Sequence, residues 1–288
     1  MENSMSETKR KTQVPLLVTS HTRAHDKHSF YSLSGNWSRT VSIANFSGKR
    51  VLGSNHGWLA MADPLTDECF LWNPQLANKI LLPQLRKSSR YKICVLSKPP
   101  TEQGCLAAFI CPYGFKLSVC VVGAHEFSKL TLLKLPSPFL MTAIGALHGQ
   151  IYGVFFSRRG DYQLMTVGLV DGPTIMIVPL MSADGSGLWI LPLSELRWVM
   201  GVRPSYLIES PAGGGELLLV IKVFLFRYYA EDDGIVFRVF RVNVERRECV
   251  ELDRIDGMTI FIGSCGNGVL STVRLWGRNQ VELHILCE

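Results

Sequence analysis

The chain has 288 residues, 47% of them hydrophobic and 19% charged, which is enough to fill a sizeable core and excludes disorder along the whole length. Its 25 Gly and 14 Pro are scattered throughout, a composition that favours short strands joined by turns and excludes a coiled coil. The net charge of +6 sits at one end: Lys9, Arg10, Lys11, Arg23, Lys27, Arg39, Lys49 and Arg50 against Glu2, Glu7 and Asp26 give +5 in residues 1–50 and leave +1 for the rest. The body therefore lacks the basic face that neutralises phosphates, and nucleic acid is not an expected partner.

Residues 1–24 read as a flexible basic segment. MENSMSETKRKTQ has no apolar run after its basic residues, so secretion is not expected and the cytosol or nucleus is. The Lys9-Arg10-Lys11 triplet has the character of a weak nuclear import signal, although an exposed flexible tail accounts for it better. His21, His25 and His28 have a spacing that on a helix would aim three imidazoles at a transition metal. The segment has little helical periodicity and no cysteine nearby, so a solvated stretch is expected, with no metal and no cofactor.

Residues 25–288 read as one all-β domain, a β-propeller of about five blade-like repeats, each blade a four-stranded antiparallel sheet, in a ring that need not be complete. Strands are expected nearly everywhere after residue 50, in units keyed to glycines at 57, 104, 149, 215 and 266. The first unit is HGWLAMAD (56–63), CFLWNP (69–74) and KILLPQL (79–85). The second is YKICVLS, GCLAAFIC, KLSVCVVG and KLTLLKL, from 91 to 135. The third runs from FLMTAIGAL (139–147) to TIMIVPL (174–180), and the fourth from PSYLIES (204–210) to CVELDRI (249–255). The fifth holds MTIFIGS (258–264), GNGVLSTVRLW (266–276) and QVELHILC (280–287). The wider gap before the fourth contains an insertion at 181–203 whose apolar spacing permits a short helix. A β-sandwich or a mixed barrel of similar strand count is the alternative architecture.

Leu135 to Ser157 carries no Asp, Glu, Lys or Arg, yet Pro136, Pro138, Gly145, His148 and Gly149 divide it into two pieces of strand length, so no membrane span is expected. The eight cysteines show neither zinc nor disulfide spacing. Cys94, Cys105, Cys111 and Cys120 lie in apolar runs, where a cysteine behaves as a small buried hydrophobe.

The text at 53–85, GSNHGWLAMADPLTDECFLWNPQLANKILLPQL, resembles the KIB-type β-propeller domain that follows an F-box in many plant F-box proteins. Gly-Ser-x-His-Gly-Trp-Leu at 53–59, Leu-Trp-Asn-Pro at 71–74 and a hydrophobic-Leu-Pro-x-Leu at 81–85 carry the likeness. Tyr206-Leu207-Ile208-Glu209-Ser210 before Gly215-Glu216-Leu217-Leu218-Leu219-Val220, and the run at 236–263, extend it. The resemblance implies a non-enzymatic module that captures a client protein for a ubiquitin-ligase assembly. Residues 1–50 lack the length and the Leu/Pro pattern of an F-box, so docking on a Skp adaptor is not expected from this sequence, and a truncated relative that binds clients without delivering them is the variant reading. The motif residues read as structural: Gly57 for a tight turn, Trp58 and Trp72 as strand anchors, Asn73 and Pro74 as a strand-ending turn.

No G-x-S-x-G elbow, H-E-x-x-H or Walker loop occurs. An enzyme using the central channel is the alternative function, and no residue pattern requires it. His56 and His148 each precede a glycine at equivalent unit positions, which points to packing or hydrogen bonding. The turns joining second to third strands (62–68, 111–114, 157–161, 229–234) are expected on one face, with the inter-blade connection 83–90. Their charges alternate: Asp63, Asp67 and Glu68; Arg86 and Lys87; Arg158, Arg159 and Asp161; Glu231, Asp232 and Asp233. With Tyr162 beside them they form the expected protein-binding rim.

Overall fold

A computed structural model describes residues 16–20, 28–32, 37–41, 48–73, 76–85, 93–111, 116–123, 131–134, 140–156, 162–169, 173–179, 181–182, 205–210, 215–225, 234–254, 260–262 and 283–285. The chain divides into two compact units, Met1–Gly48 and Lys49–Glu288. Among the described residues every regular element is a strand.

The first unit holds one antiparallel sheet in the order β1 (Leu16–Ser20), β2 (His28–Ser32) and β3 (Trp37–Val41). The strands read from the sequence begin after residue 50, within an all-β domain expected from residue 25, so these three were not singled out. LLVTS, HSFYS and WSRTV are short and rich in serine and threonine, so they give little hydrophobic contrast to read. His28 opens β2, so the helical face that its spacing with His21 and His25 would need is not formed there. His21 and His25 lie outside the described residues.

The second unit contains four sheets that each run in chain order. The first blade is β4 (Arg50–Asn55), β5 (Trp58–Ala62), β6 (Cys69–Asn73) and β7 (Asn78–Leu82). The second is β8 (Ile93–Leu96), β9 (Leu106–Cys111), β10 (Lys116–Val121) and β11 (Thr131–Lys134). The third is β12 (Leu140–Leu147), β13 (Gln150–Phe156), β14 (Tyr162–Leu169) and β15 (Pro173–Pro179). β12 and β13 are the two strand-length pieces of the uncharged stretch, and no described helix is long and apolar enough to cross a membrane. β16 (Met181–Ser182) opens the insertion, whose remaining residues up to 203 lie outside the described set. The fourth blade is β17 (Ser205–Glu209), β18 (Glu216–Leu225), β19 (Gly234–Asn243) and β20 (Glu248–Glu251), and β16 joins its outer side in parallel. β21 (Ile260–Ile262) and β22 (Leu283–Ile285) pair in parallel, where a run of neighbouring antiparallel strands was expected; residues 266–276 lie outside the described set.

Alternate residues of a strand point to opposite sides, and here both sides are buried. Cys94, Leu96, Ala107 and Phe109 of the second blade pack with Leu52, Trp58, Ala60 and Leu71 of the first. The residues between them, Val95, Leu106, Ala108 and Ile110, pack with Ile144, Ile151, Phe155 and Met165 of the third. Leu164, Tyr152 and Ala143 then meet Leu207, Leu217, Leu219 and Phe240 of the fourth blade, whose other side holds Tyr206, Ile208, Leu218 and Val220 against Ile260. Double-sided burial is why the strands read as unbroken apolar runs, and why each blade needs a neighbour on both flanks. Each buried Val, Leu, Ile, Phe or Met among them contributes roughly 1.5–3 kcal/mol relative to exposure, and each alanine less.

The blades alternate in kind. In the first and third, the sequences Gly53-Ser-Asn-His56-Gly57 and Gly145-Ala-Leu-His148-Gly149 close a two-residue turn between first and second strands. All four turn residues have positive φ: His56 53°, Gly57 77°, His148 49° and Gly149 78°. This is the backbone that lets a tight hairpin follow the right-handed twist of its strands. In the second and fourth blades the same connection is longer and opens with a buried serine: Ser97 N donates to Leu106 O and Ser210 N to Glu216 O, each at 2.9 Å. Gly53 and Gly145 lie against the innermost strands of these partners, where a β-carbon would meet Cys94 O at 2.1 Å and Leu207 O at 2.4 Å.

Candidate functional site

The best defined of the second-to-third-strand turns spans 63–68, between the paired residues Ala62 and Cys69. Asp63 builds it. Its Oδ1 accepts Leu65 N at 2.8 Å and Thr66 N at 3.3 Å, its own N donates to Glu68 O at 2.8 Å, and its carbonyl accepts Asp67 N at 3.0 Å. Thr66 Oγ1 accepts Glu68 N at 3.3 Å, and Asp67 takes a φ of 59°, a conformation that Asp tolerates better than most residues. Leu85 N donates to Asp67 O at 3.1 Å, which ties the chain leaving β7 back onto the turn. These bonds hold the Asp63 carboxyl below its ordinary range; the Leu65 amide is the largest cause, Thr66 adds to it, and Lys49 contributes its charge.

A turn fixed this firmly holds Leu65 at its tip with 91% of its surface in water. Leu81 of β7, 67% exposed, sits opposite Phe70 in the register of the same blade. The Lys79 ammonium lies 2.5 Å from Glu68 Oε1 and 4.2 Å over the Phe70 ring, with Lys49 5.7 Å from the same ring. The resulting patch has two exposed leucines, three carboxylates at 63, 67 and 68, and two ammonium groups. An apolar anchor ringed by polar groups is the anatomy of a protein contact.

The expected rim is only partly visible. Arg86 and Lys87 lie outside the described residues, between β7 and β8. Arg158, Arg159 and Asp161 lie outside them between β13 and β14, as do Glu231, Asp232 and Asp233 between β18 and β19. The last two connections leave the same strand ends as 63–68, since each joins a second strand to a third. Tyr162 does not belong to a rim. It is 1% exposed, opens β14 opposite Phe156 and packs in the core between the third and fourth blades. Its place two residues before the core residue Leu164 turns it inward, and that parity was readable in the sequence.

Leu65 and Leu81 were not singled out from sequence. A leucine in a turn carries no mark that separates it from a core leucine until the turn's bonds are known. Trp58 and Trp72 are buried, and Gly57 occupies the positive-φ turn described above. Asn73 Oδ1 accepts Leu76 N at 3.0 Å; Pro74 lies outside the described residues. The turn after β19 repeats this arrangement, with Asn243 Oδ1 accepting Arg246 N at 2.9 Å and a positive φ at Arg247 to match Ala77.

At the opposite end of the strands, His56 sits against the Leu96 backbone. Burial lowers its basicity, an effect opposed by Glu209, that backbone contact and Glu102. Cys69, Cys94, Cys105, Cys120 and Cys249 are free thiols. Burial pushes Cys69 and Cys94 far up, and Cys120 and Cys249 to about 12, so none is a nucleophile at neutral pH. Among the described residues no group of three or more His, Cys, Asp or Glu could hold a metal.

The sequence matches the family described as the KIB1-4 beta-propeller over residues 30–279. No curated protein matches it. Among solved structures it is similar to one chain of a complex of a Saccharomyces cerevisiae Dbp5 variant with Nup159, a Gle1 variant, IP6 and ADP, at 9% identity, 84% of this chain and 59% of that one, TM-score 0.41. It is also similar to Kluyveromyces lactis Hsv2 (10% identity, 82% and 93% covered, TM-score 0.38) and to U3-55K (11%, 84% and 82%, TM-score 0.39).

Proposed function

As this chain belongs to the KIB1-4 β-propeller family, we propose that it is a non-enzymatic module that grips a client protein through its second-to-third-strand turns. The observation that carries this reading is Leu65, an apolar side chain held in water by six hydrogen bonds of its own turn and the chain leaving β7. Exposing leucine costs solvation free energy, and fixing it in place lowers the entropy lost when a partner covers it. The mixed charges around it suit a protein surface better than a polyanion.

The finer reading is client capture for a ubiquitin ligase, supported by the likeness of 53–85 and 206–220 to F-box-associated propellers. The buried, reduced thiols suit the cytosol or nucleus. The test is affinity capture from matched extracts with the full chain and with Leu65→Asp, quantified by mass spectrometry. Clients held by this turn fall about thirtyfold with the variant, the loss expected of a hot-spot residue. An unchanged client list refutes the turn as the contact. Direct binding of purified Skp adaptor separates a ligase subunit from a client binder that lacks adaptor docking.

A further inference from the structure

The fourth blade shows what the outer edge of a blade does in this protein. β16 adds to it in parallel, Met181 opposite Glu248 and Ser182 opposite Cys249, with Met181 N donating to Arg247 O at 3.0 Å. The first blade ends differently. Its sheet stops at β7, and no described strand pairs with the far side of Asn78–Leu82. An outermost strand directs alternate N–H and C=O groups away from its sheet, and proteins guard such edges with proline or with a projecting lysine. β15 has Pro173 and Pro179 at its two ends. β7 has no proline, and its one lysine is drawn back over Phe70 and onto Glu68. Leu81 stands exposed two residues further along.

We propose that β7 docks an extended segment of a partner protein by strand addition, with an apolar side chain of that segment resting on Leu81. This deepens the reading of the chain as an interaction module and rests on it, because the turn holding Leu65 belongs to the same blade and is bonded to the chain that leaves β7. A second copy of the chain is the poorer occupant: a five-residue strand spans about 17 Å, too short to supply the ~1,200 Å² of stable association by self-pairing. An extended segment adds its backbone bonds to contacts made elsewhere on the client.

Panning a displayed library of random octapeptides against the full chain supplies the probe. The enriched peptide is then synthesised in three forms: unmodified, N-methylated at odd residues, and N-methylated at even residues. Strand addition predicts that one N-methylated form binds at least tenfold more weakly while the other binds like the unmodified peptide, since only one edge of the peptide faces β7. It also predicts slowed hydrogen exchange of amides within 78–82, and weaker binding to Leu81→Asp. Equal binding of both N-methylated forms, protection confined to other strands, failure to enrich any peptide, or concentration-dependent dimers that pair through β7 would each overturn it. The two proposals fail separately. Client capture that depends on Leu65 without any peptide effect removes only the β7 site, whereas a parity-dependent peptide with clients indifferent to Leu65→Asp removes the turn and leaves the edge.

Discussion

Gly53 and the carbonyl of Cys94 hold the first two blades at a separation that no other residue at 53 permits. A β-carbon on Gly53 would lie 2.1 Å from that oxygen, and the oxygen belongs to backbone that cannot swing aside. Gly53→Ala is expected to lower stability by about 3 kcal/mol or more, the upper end of overpacking costs, seen as a shifted urea midpoint. The comparison is Gly57→Asn, at a φ of 77° with nothing within 4 Å, where the cost stays below about 1 kcal/mol because asparagine tolerates that conformation.

Ser97 tests the other kind of blade. Its hydroxyl accepts Leu106 N at 2.9 Å in a buried setting, and its own N–H bonds back to Leu106 O. Ser97→Ala leaves the Leu106 amide without that acceptor and is expected to cost about 1–3 kcal/mol. Ser97→Thr retains the hydroxyl and should recover most of the loss if the hydrogen bond is the reason for serine. Equal losses in the two variants would show that side-chain volume decides.

Besides Asp63, two groups shape the response to acid. His56 is less basic in the fold than its ordinary 6.5, chiefly through burial, so the unfolded chain takes up the proton first and stability falls as pH drops below about that value. Glu251 is more acidic than its ordinary 4.5, chiefly through the hydrogen bond from Arg238, so its contribution is present above that value and is lost as pH falls through the folded pKa. Urea midpoints measured from pH 8 to pH 3 should show both declines. His56→Gln removes the first and Glu251→Gln the second; an unaltered profile in either variant assigns that limb to other groups.

Thiol labelling reports on the core directly. Cys69, Cys94, Cys105 and Cys120 share the cluster between the first and second blades, and burial keeps each protonated. At pH 8 these sites are expected to react with iodoacetamide at least a hundredfold more slowly in the folded chain than in urea, as read by peptide mass spectrometry. Labelling at comparable rates in both conditions would show that this interface opens readily.

Blades two, three and four were legible because burial on both sides turns their strands into apolar runs and because the lead glycines mark the turns. Gly57, Gly104, Gly149 and Gly215 do take positive φ. β4 was harder to read: RVLGSN is polar at its ends, carries a glycine and loses register between Val51 and Gly53, so no two-residue rhythm survives. The parallel pairings of β16 and β22 depend on where the chain returns, which local periodicity does not encode. Tyr162 went astray through its neighbours. Its adjacency to a charged turn outweighed its parity with Leu164, and parity was the better guide. Leu65 stayed hidden for the converse reason, since its exposure follows from hydrogen bonds to Asp63 and not from any pattern of residue types.

Because the two glycine–carbonyl seams lie between blades one and two and between blades three and four, excising a single blade would leave one half of a seam without its partner. Excising two in succession keeps every such seam complementary. A chain built this way lengthens or shortens most readily by even numbers, and an engineered variant that grafts the second-and-third unit in duplicate should close its new seam without further change.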